Sequence, residues 1–232
     1  MKKFITVLFA LLLVLSLSAC QKGEETTNTD PEPGMLGGWE INKDYVKPLV
    51  ATEVIDYVES NAEIDGSSIN VVALLGTQVV AGTNYLFLGE YTIDKASERF
   101  GLVTLLVYAD LEGNFSIVNC KKFELEDYVS DNVSLEDEEL VGAFEYYIDE
   151  DLVIEETPLK KALEQFTGAD YESIALLGTQ VVAGYNYAYL TYGVRVVPDA
   201  KKFIAIVTVY ENTNGECSIL NVAQLDLAAL AE

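Results

Sequence analysis

The pattern of apolar and polar positions divides the chain into three parts. An apolar run from Phe4 to Leu17 follows two lysines, and residues 21–35 are polar, with two prolines and no apolar periodicity. From residue 36 onward, short apolar runs alternate with turn residues, which is typical of strands joined by turns. The pattern predicts an export segment, a flexible tether over residues 20–35 and a folded remainder.

A ten-residue segment occurs twice in the folded part. Ala73–Gly82 and Ala175–Gly184 both read ALLGTQVVAG, a spacing of 102 residues. The same spacing aligns further identical pairs: Asn84-Tyr85 with Asn186-Tyr187, and Val107-Tyr108 with Val209-Tyr210. A duplicated domain explains this register, whereas a solenoid would repeat at a much shorter period. We predict domains over residues 36–127 and 140–232, joined by an acidic linker at 128–139.

Each copy begins with the signals of one short helix. In the second copy Thr157-Pro158 provides a cap and a first-turn proline, and the following apolar residues recur at helical spacing: Leu159, Ala162, Leu163 and Phe166. In the first copy Pro48 has the same opening role, with a stripe of Val50, Val54, Tyr57 and Val58. The helices are expected to end by Asn61 and Gly168.

Strand signals follow each helix, and Gly76 and the QVVAG segment are expected to interrupt them. In the first copy we predict strands over Ile69–Leu75, Tyr85–Tyr91, Leu102–Tyr108 and Phe115–Val118. Their equivalents are Ser173–Leu177, Tyr187–Val194, Phe203–Tyr210 and Cys217–Leu220. Short glycine-bearing turns favour antiparallel pairing, and one amphipathic helix needs one sheet face to cover it. Residues 102–108 and 203–210 are apolar on both faces, so the second face meets either the sister domain or a partner.

Composition excludes several classes of function. Lys and Arg number 14 against 38 Asp and Glu, a net charge of −24 that repels nucleic acid. Histidine is absent, which removes the usual general base and the imidazole metal sites. The three cysteines form no C-x-x-C pair, and Cys120 and Cys217 are expected to be free. The acidic runs 124–127 and 131–139 lack a calcium-loop pattern. We therefore expect no enzyme, no cofactor, no metal and no nucleic-acid partner.

The residues after the apolar run decide the type of export signal. Leu17-Ser18-Ala19-Cys20 resembles the lipobox of bacterial lipoproteins. That resemblance implies a signal peptide over residues 1–19, cleavage before Cys20 and acylation of its thiol. The folded part would then be held by this lipid on the bacterial cell envelope, outside the cytoplasm, with the membrane as a partner. The alternative is a plain secreted protein in which a cysteine happens to follow the cleavage site.

The repeated segment carries a second resemblance. Gln78-Val79-Val80-Ala81-Gly82 resembles the Q-x-V-x-G first hairpin loop of cystatins, which inhibit papain-like cysteine proteases. Gly37-Gly38-Trp39 looks like the N-terminal glycine pair of that family, and the order of elements matches in both copies. The resemblance implies an α+β fold of two tandem cystatin-like domains, each an antiparallel β-sheet wrapped around one α-helix.

The same resemblance implies a function and a set of binding residues. The protein would be a membrane-anchored inhibitor that blocks the active-site cleft of a papain-like cysteine protease. The implied protease-binding residues are Gly37, Gly38, Gln78, Val79, Val80, Ala81 and Gly82, with Gln180, Val181, Val182, Ala183 and Gly184 in the second copy.

Two departures from the cystatin pattern keep an alternative open. The second hairpin loops, residues 110–114 and 212–216, lack the Pro-Trp of the family. Ala143 also stands where a second glycine is expected, so the first copy is the better inhibitor candidate. The alternative is a non-inhibitory cystatin-like module that binds a protein or glycan at the cell surface, or a QVVAG segment that serves only as a structural turn.

Overall fold

The computed structural model describes residues 37–41, 52–94, 99–129, 144–146, 156–197 and 200–232. They form two antiparallel sheets, one from each copy of the repeat. Sheet 1 contains β1 (Trp39–Glu40), β2 (Glu63–Ile64), β3 (Ser67–Val80), β4 (Gly82–Asp94), β5 (Arg99–Ala109) and β6 (Phe115–Phe123). Its order is β1-β3-β4-β5-β6, and β2 pairs with the start of β3. Sheet 2 contains β7 (Glu145–Tyr146), β8 (Ala169–Val182), β9 (Gly184–Arg195), β10 (Lys202–Asn212) and β11 (Cys217–Gln224), in the order β11-β10-β9-β8-β7. The predicted antiparallel pairing is confirmed.

Three short α-helices accompany the sheets in the described residues: α1 (Thr52–Asn61), α2 (Glu156–Leu163) and α3 (Leu227–Ala231). α1 ends at Asn61 as predicted, where the side-chain amide donates to the Tyr57 carbonyl at 2.8 Å. α2 ends at Leu163, earlier than predicted, and leaves Phe166 beyond the helix. The predicted opening residues Pro48 and Val50 lie outside the described residues. α3 was not predicted. Asp226 is its N-cap and accepts hydrogen bonds from two backbone amides, an N-terminal signal that the sequence prediction did not use.

The strands are longer than the sequence predicts, and the expected break at Gly76 is wrong. β3 continues from Ser67 through Gly76 to Val80. Its pairing with β4 shifts register between Val71 and Ala73 and again between Leu74 and Gly76. A bulge places one extra residue in a strand and changes which side chains face inward. The alternation of inward-facing and outward-facing residues therefore shifts at these two points. The sequence pattern looks like the end of a strand there, although β3 continues.

α1 and α2 each cover the outer face of their own sheet. Val54, Ile55 and Val58 of α1 are buried against one face of sheet 1. Leu159 and Ala162 of α2 are buried against one face of sheet 2. Because side chains alternate along a strand, every second apolar residue of each strand is left for the opposite face.

The opposite faces of the two sheets pack on each other and form the central core. Sheet 1 contributes buried residues that include Ala73, Leu75, Leu86 and Leu88, and sheet 2 contributes Ala175, Leu177, Leu190, Ile204 and Ile206. The sequence predicted that the second apolar face meets either the sister domain or a partner. It is covered by the sister repeat. The result is four layers, in the order helix, sheet, sheet, helix.

The predicted fold class is wrong. We expected an α+β fold of two tandem cystatin-like domains, each a sheet wrapped around one helix. The described residues are instead mostly β-strand, in two sheets that share one core, with three short helices. The physical reason is that both faces of each sheet are apolar, while α1 and α2 each lie on one face and leave the other to be covered.

The end of each repeat crosses to the other sheet. An added Cβ on Gly76 would lie 2.8 Å from Leu227 Cδ1, and one on Gly178 would lie 3.4 Å from Leu125 Cδ2. Leu125 and Leu227 are equivalent positions of the repeat, as are the two glycines. The contact is therefore reciprocal, which is the pattern of an isologous interface.

Hydrogen bonds reinforce this crossing. The Tyr146 hydroxyl of the second repeat donates to Glu126 Oε2 of the first at 2.7 Å. Burial and the neighbouring Glu126 carboxylate raise the pKa of Tyr146, so this hydroxyl stays protonated. The Asn221 side-chain amide also donates to the Tyr128 carbonyl at 2.9 Å. The two repeats are thus joined by polar as well as apolar contacts.

Because the core is shared, Leu125→Ala is expected to destabilise both repeats together. Leu125 is fully buried, and large-to-small changes at such sites cost about 2–5 kcal/mol. Denaturant unfolding followed by Trp39 fluorescence and by far-ultraviolet circular dichroism should show one transition, shifted equally for both probes. Leu111→Ala, on an exposed loop, is the control and should change the free energy of unfolding by less than about 0.5 kcal/mol. Separate transitions for the two probes would contradict the shared core.

Candidate functional site

The candidate site begins at the tip of the β3–β4 hairpin, residues 80–82. Gly82 has φ = +130°, and a Cβ at this position would collide with the carbonyl oxygen of Ala109 on β5. Only glycine fits this backbone conformation and this close approach. Gly184 has φ = +129° at the tip of β8–β9 and would meet the Glu211 carbonyl in the same way. The two turns therefore require glycine at positions 82 and 184, the last residue of each repeated segment.

The first tip presents apolar side chains to solvent. Val79 is 50% exposed and Val80 is 41% exposed, whereas Gln78 is half-buried. Two β-branched residues at a narrow tip have few rotamers to lose on binding. The tip is thus a stiff apolar projection and is not part of the core.

A tyrosine braces each tip from the neighbouring strand. The Tyr108 hydroxyl on β5 donates to the Ala81 carbonyl, and the Tyr210 hydroxyl on β10 donates to the Ala183 carbonyl at 2.7 Å. Each bond fixes the turn to the strand beside it, so the tip cannot bend independently of its sheet.

The N-terminal glycine segment lies directly beside the first tip. The Gly37 backbone amide donates to the Val79 carbonyl at 3.3 Å, and Gln78 Nε2 donates to the Gly37 carbonyl at 2.8 Å. Gly37 has φ = +88°, a conformation that favours glycine. Trp39 pairs with Gln78 in the β1–β3 ladder and packs against the central core. Gly37 and Gly38 thus extend from an anchored residue along the edge of the tip.

The β5–β6 loop, residues 110–114, lies on the other side of the tip, because Thr83 pairs with Ala109. One oxygen of Asp110 accepts from the Glu112 and Asn114 backbone amides at 2.9 and 2.8 Å, and the other accepts from Asn114 Nδ2 at 2.8 Å. Leu111 projects from this fixed loop and is 84% exposed. Its side chain is an apolar anchor held on a rigid turn.

We call the three adjoining segments the first rim: residues 37–38, 78–82 and 110–114. Hydrogen bonds from Asn114 and the loop amides hold the pKa of Asp110 below its ordinary value, so the carboxylate stays charged. Leu111 lies between this carboxylate and a second acidic residue, Glu112. The first rim combines an apolar tip with a negatively charged margin.

The second rim, residues 180–184 with 212–216, has the same backbone and different side chains. Val181 is 57% exposed, but Val182 is only 9% exposed, unlike its counterpart Val80. The loop is held by Asn212, whose Oδ1 accepts two backbone amides, and Thr213 replaces the exposed leucine. Tyr185, opposite Val181, is exposed. The second rim thus exposes one valine and a tyrosine at its tip, where the first exposes two valines.

Not every predicted residue can be located. Cys20 and Ala143 lie outside the described residues. All the other predicted binding residues lie in one of the two rims. Gly37 and Gly38 lie beside the QVVAG segment of the first repeat, to which Gly37 is hydrogen-bonded. Cys120 and Cys217 are free and half-buried on the outer faces of different sheets, as predicted. Burial raises the pKa of both thiols.

The sequence reasoning missed the residues that support the first rim. Asn84 Nδ2 donates to Gln78 Oε1 at 2.7 Å, and Tyr108 and Asp110 brace the two hairpins. Asn84 and Tyr108 are among the residues that recur at a spacing of 102, so the repeat itself held the signal. Asp110 begins a short turn in which an aspartate commonly bonds amides two residues ahead.

No protein-family model, curated protein or solved structure matches this chain. The resemblance to cystatins therefore rests on the quoted residues alone. Within the described ranges, no helix is long and apolar enough to cross a membrane. The same residues contain no cluster of three or more acidic or cysteine side chains arranged for a metal ion.

The first-rim loop is expected to lose order in acid as Asp110 is protonated. A carboxylate whose pKa is lowered on folding contributes stability above the pKa of the unfolded chain, and that stability disappears as pH falls through the lowered value. In NMR titrations, the Glu112 and Asn114 amide signals should therefore move at a pH below about 3.9, the ordinary aspartate value. Asp110→Asn, which copies Asn212, should abolish this titration and keep the loop. An Asp110 titration at or above the ordinary value would contradict the bonding described.

Proposed function

We propose that the first rim inserts into a groove on another protein, and that the target is a papain-like cysteine protease outside the cell. The observation that carries the proposal is the side-by-side arrangement of three segments, with exposed valines at the centre and Leu111 at one side. The choice of protease rests on the QVVAG segment and the glycine pair, since the expected cystatin fold is wrong.

The rigidity of the rim supports insertion as the mode of binding. Gly82, the Tyr108 hydroxyl and the Asp110 carboxylate each fix a part of the rim before any partner arrives. Association costs less when the binding segments are already ordered. Complete burial of a fully exposed valine or leucine side chain contributes about 1.5–3 kcal/mol. Leu111 could gain most of this and the half-exposed Val79 and Val80 about half of it each.

Inhibition would follow from occlusion of the protease cleft. The rim would cover the catalytic cysteine of the target and keep substrate away, and no side chain of this chain would take part in a reaction. We expect weaker inhibition than from a wedge with three strong anchors. Leu111 is a smaller anchor than an aromatic residue, and aromatic anchors dominate many interfaces.

The proposed location places this rim at a membrane surface. Acylation of Cys20 would hold the protein on the bacterial envelope, because each buried methylene of an acyl chain contributes about 0.8 kcal/mol. Residues 20–35 would then link the lipid to β1, next to the first rim. Cys20 and this link lie outside the described residues, so the location rests on the lipobox resemblance.

A binding module without inhibitory activity is the second candidate. The observation that favours it is the β5–β6 loop, which has Leu111 and two acidic residues instead of Pro-Trp. The apolar sheet face that first supported this alternative is now known to be buried against the other sheet. This candidate therefore depends on the rims alone and predicts a surface partner with papain activity unchanged.

Titration of papain with the lipid-free protein, residues 21–232, tests the proposal. The protein should reduce the hydrolysis of a small fluorogenic peptide, and Val80→Asp should weaken inhibition at least 10-fold by placing a charge in an apolar contact. Gly37→Glu should have a similar effect, and Leu111→Ala a smaller one. Val181→Asp is the control in the second rim. Val181 is the exposed counterpart of Val79, whereas the counterpart of Val80, Val182, is nearly buried.

The outcomes separate the candidates. Inhibition that is lost with Val80→Asp and retained with Val181→Asp supports the first rim as the inhibitory site. The reverse result would assign inhibition to the second rim. No inhibition of papain or related proteases at hundreds of micromolar would remove the inhibitor proposal, and specific recovery of a non-protease surface partner would then favour the binding module.

A further inference from the structure

We infer that Gln78 is the positioning residue of the first rim, which holds the glycine segment at a fixed distance from the hairpin tip. This inference rests on the proposed function, because it concerns how the same rim is prepared for its partner. Gln78 is half-buried, while Val79 and Val80 beside it are exposed. Its contribution to binding would therefore pass through Gly37 and not through its own contact with a target.

The hydrogen bonds of Gln78 form a relay with one direction. Asn84 Nδ2 donates to Gln78 Oε1 at 2.7 Å, and Gln78 Nε2 donates to the Gly37 carbonyl at 2.8 Å. The Gly37 carbonyl can only accept, so the Gln78 amide nitrogen has to face it. Asn84 in turn orients this amide by donating to its oxygen. A primary amide provides both the donor and the acceptor that this position requires.

Few other described contacts hold the glycine segment. The Gly37 amide donates to the Val79 carbonyl at 3.3 Å, a longer bond than the one from Gln78. An added Cβ on Gly37 would meet no described atom within 4 Å, so no described side chain packs on that side of it. The next fixed point is Trp39, which packs against the central core. Loss of the Gln78 amide would therefore release Gly37 and Gly38 from the tip and expose more of the adjacent Trp39 ring, which pairs with Gln78 and is only partly buried against the core.

The second repeat contains the same pair of side-chain amides. Asn186 Nδ2 donates to Gln180 Oε1 at 2.7 Å, as Asn84 does to Gln78. Gln180 is thus the equivalent residue in the other sheet. It provides a control of the same residue type in the same local structure, at a site that does not hold Gly37.

Trp39 makes the relay measurable without a protease. It is the only tryptophan of the chain, and it follows the glycine pair directly. In a folded variant, its quenching by acrylamide therefore reports on how well the ring next to the glycine pair is covered. Gln78→Met keeps the length of the side chain and removes both hydrogen bonds, so it separates bonding from shape.

We expect Gln78→Met to raise the acrylamide quenching constant of Trp39 about twofold, with circular dichroism showing an intact sheet. Gln180→Met should leave that constant unchanged. Inhibition of papain by Gln78→Met should weaken at least 10-fold. Unchanged quenching in a folded Gln78→Met variant would overturn the inference.

Gln78→Glu provides a second test, because its hydrogen-bond donor can be removed and restored by pH. If the side chain at position 78 acted only by filling space, quenching would not follow this protonation. At neutral pH the carboxylate has no proton to donate and faces the Gly37 carbonyl, so quenching should be high. Below about pH 4.3, the ordinary glutamate value, the protonated acid can donate and quenching should return towards that of the wild-type protein at the same pH. Quenching that does not depend on this protonation would contradict the relay.

The two proposals fail in different ways. If the wild-type protein leaves papain active, the protease proposal fails, and Trp39 quenching still decides whether Gln78 positions the segment. If the wild-type protein inhibits papain and Gln78→Met exposes Trp39 without weakening inhibition, the segment is released but does not matter for binding. That result would overturn the role of Gln78 as a positioning residue.

Discussion

The whole fold depends on the burial of two apolar sheet faces against each other. Each sheet has one face covered by a short helix and a second face that is equally apolar. Burial of apolar area contributes roughly 25 cal/mol per Å², and an exposed face of this kind favours association. The sister repeat provides the only cover seen in the described residues, so the two copies are structurally interdependent.

This constraint also explains why the rims are stiff. The hairpin tips are the ends of long strands whose central parts are fixed between a helix and the other sheet. Tyr108 and Asp110 then extend that rigidity over the last residues of each loop. A projection supported in this way can present two exposed valines without folding back, and this property makes the first rim suitable for binding in a groove.

Some of the fold and site could be predicted from the sequence because the signals are local. The repeat of Ala73–Gly82, the end of α1 at Asn61 and the antiparallel pairing follow from identity, spacing and turn chemistry. The glycine segment and the QVVAG motif were expected to act together, and they lie side by side.

The remaining features depend on contacts between distant residues. Periodicity cannot show that bulges carry β3 through Gly76, since a bulge shifts the phase of the alternation. The partner of the second sheet face was also open, because an apolar face is compatible with any apolar surface. The reciprocal contact between Leu227 and Gly76 joins positions far apart in the chain, and neither residue is unusual on its own.

The reciprocal contact has a consequence for how the two repeats have diverged. Its symmetry is that of a two-fold homodimer whose subunits are now joined in one polypeptide. In a true homodimer, every change at one tip appears at the other as well. Two repeats within one polypeptide are free of this coupling, so Leu111 can have Thr213 as its counterpart, and Val80 can be exposed where Val182 is buried. A single chain can therefore have two unlike ends around a symmetric interior.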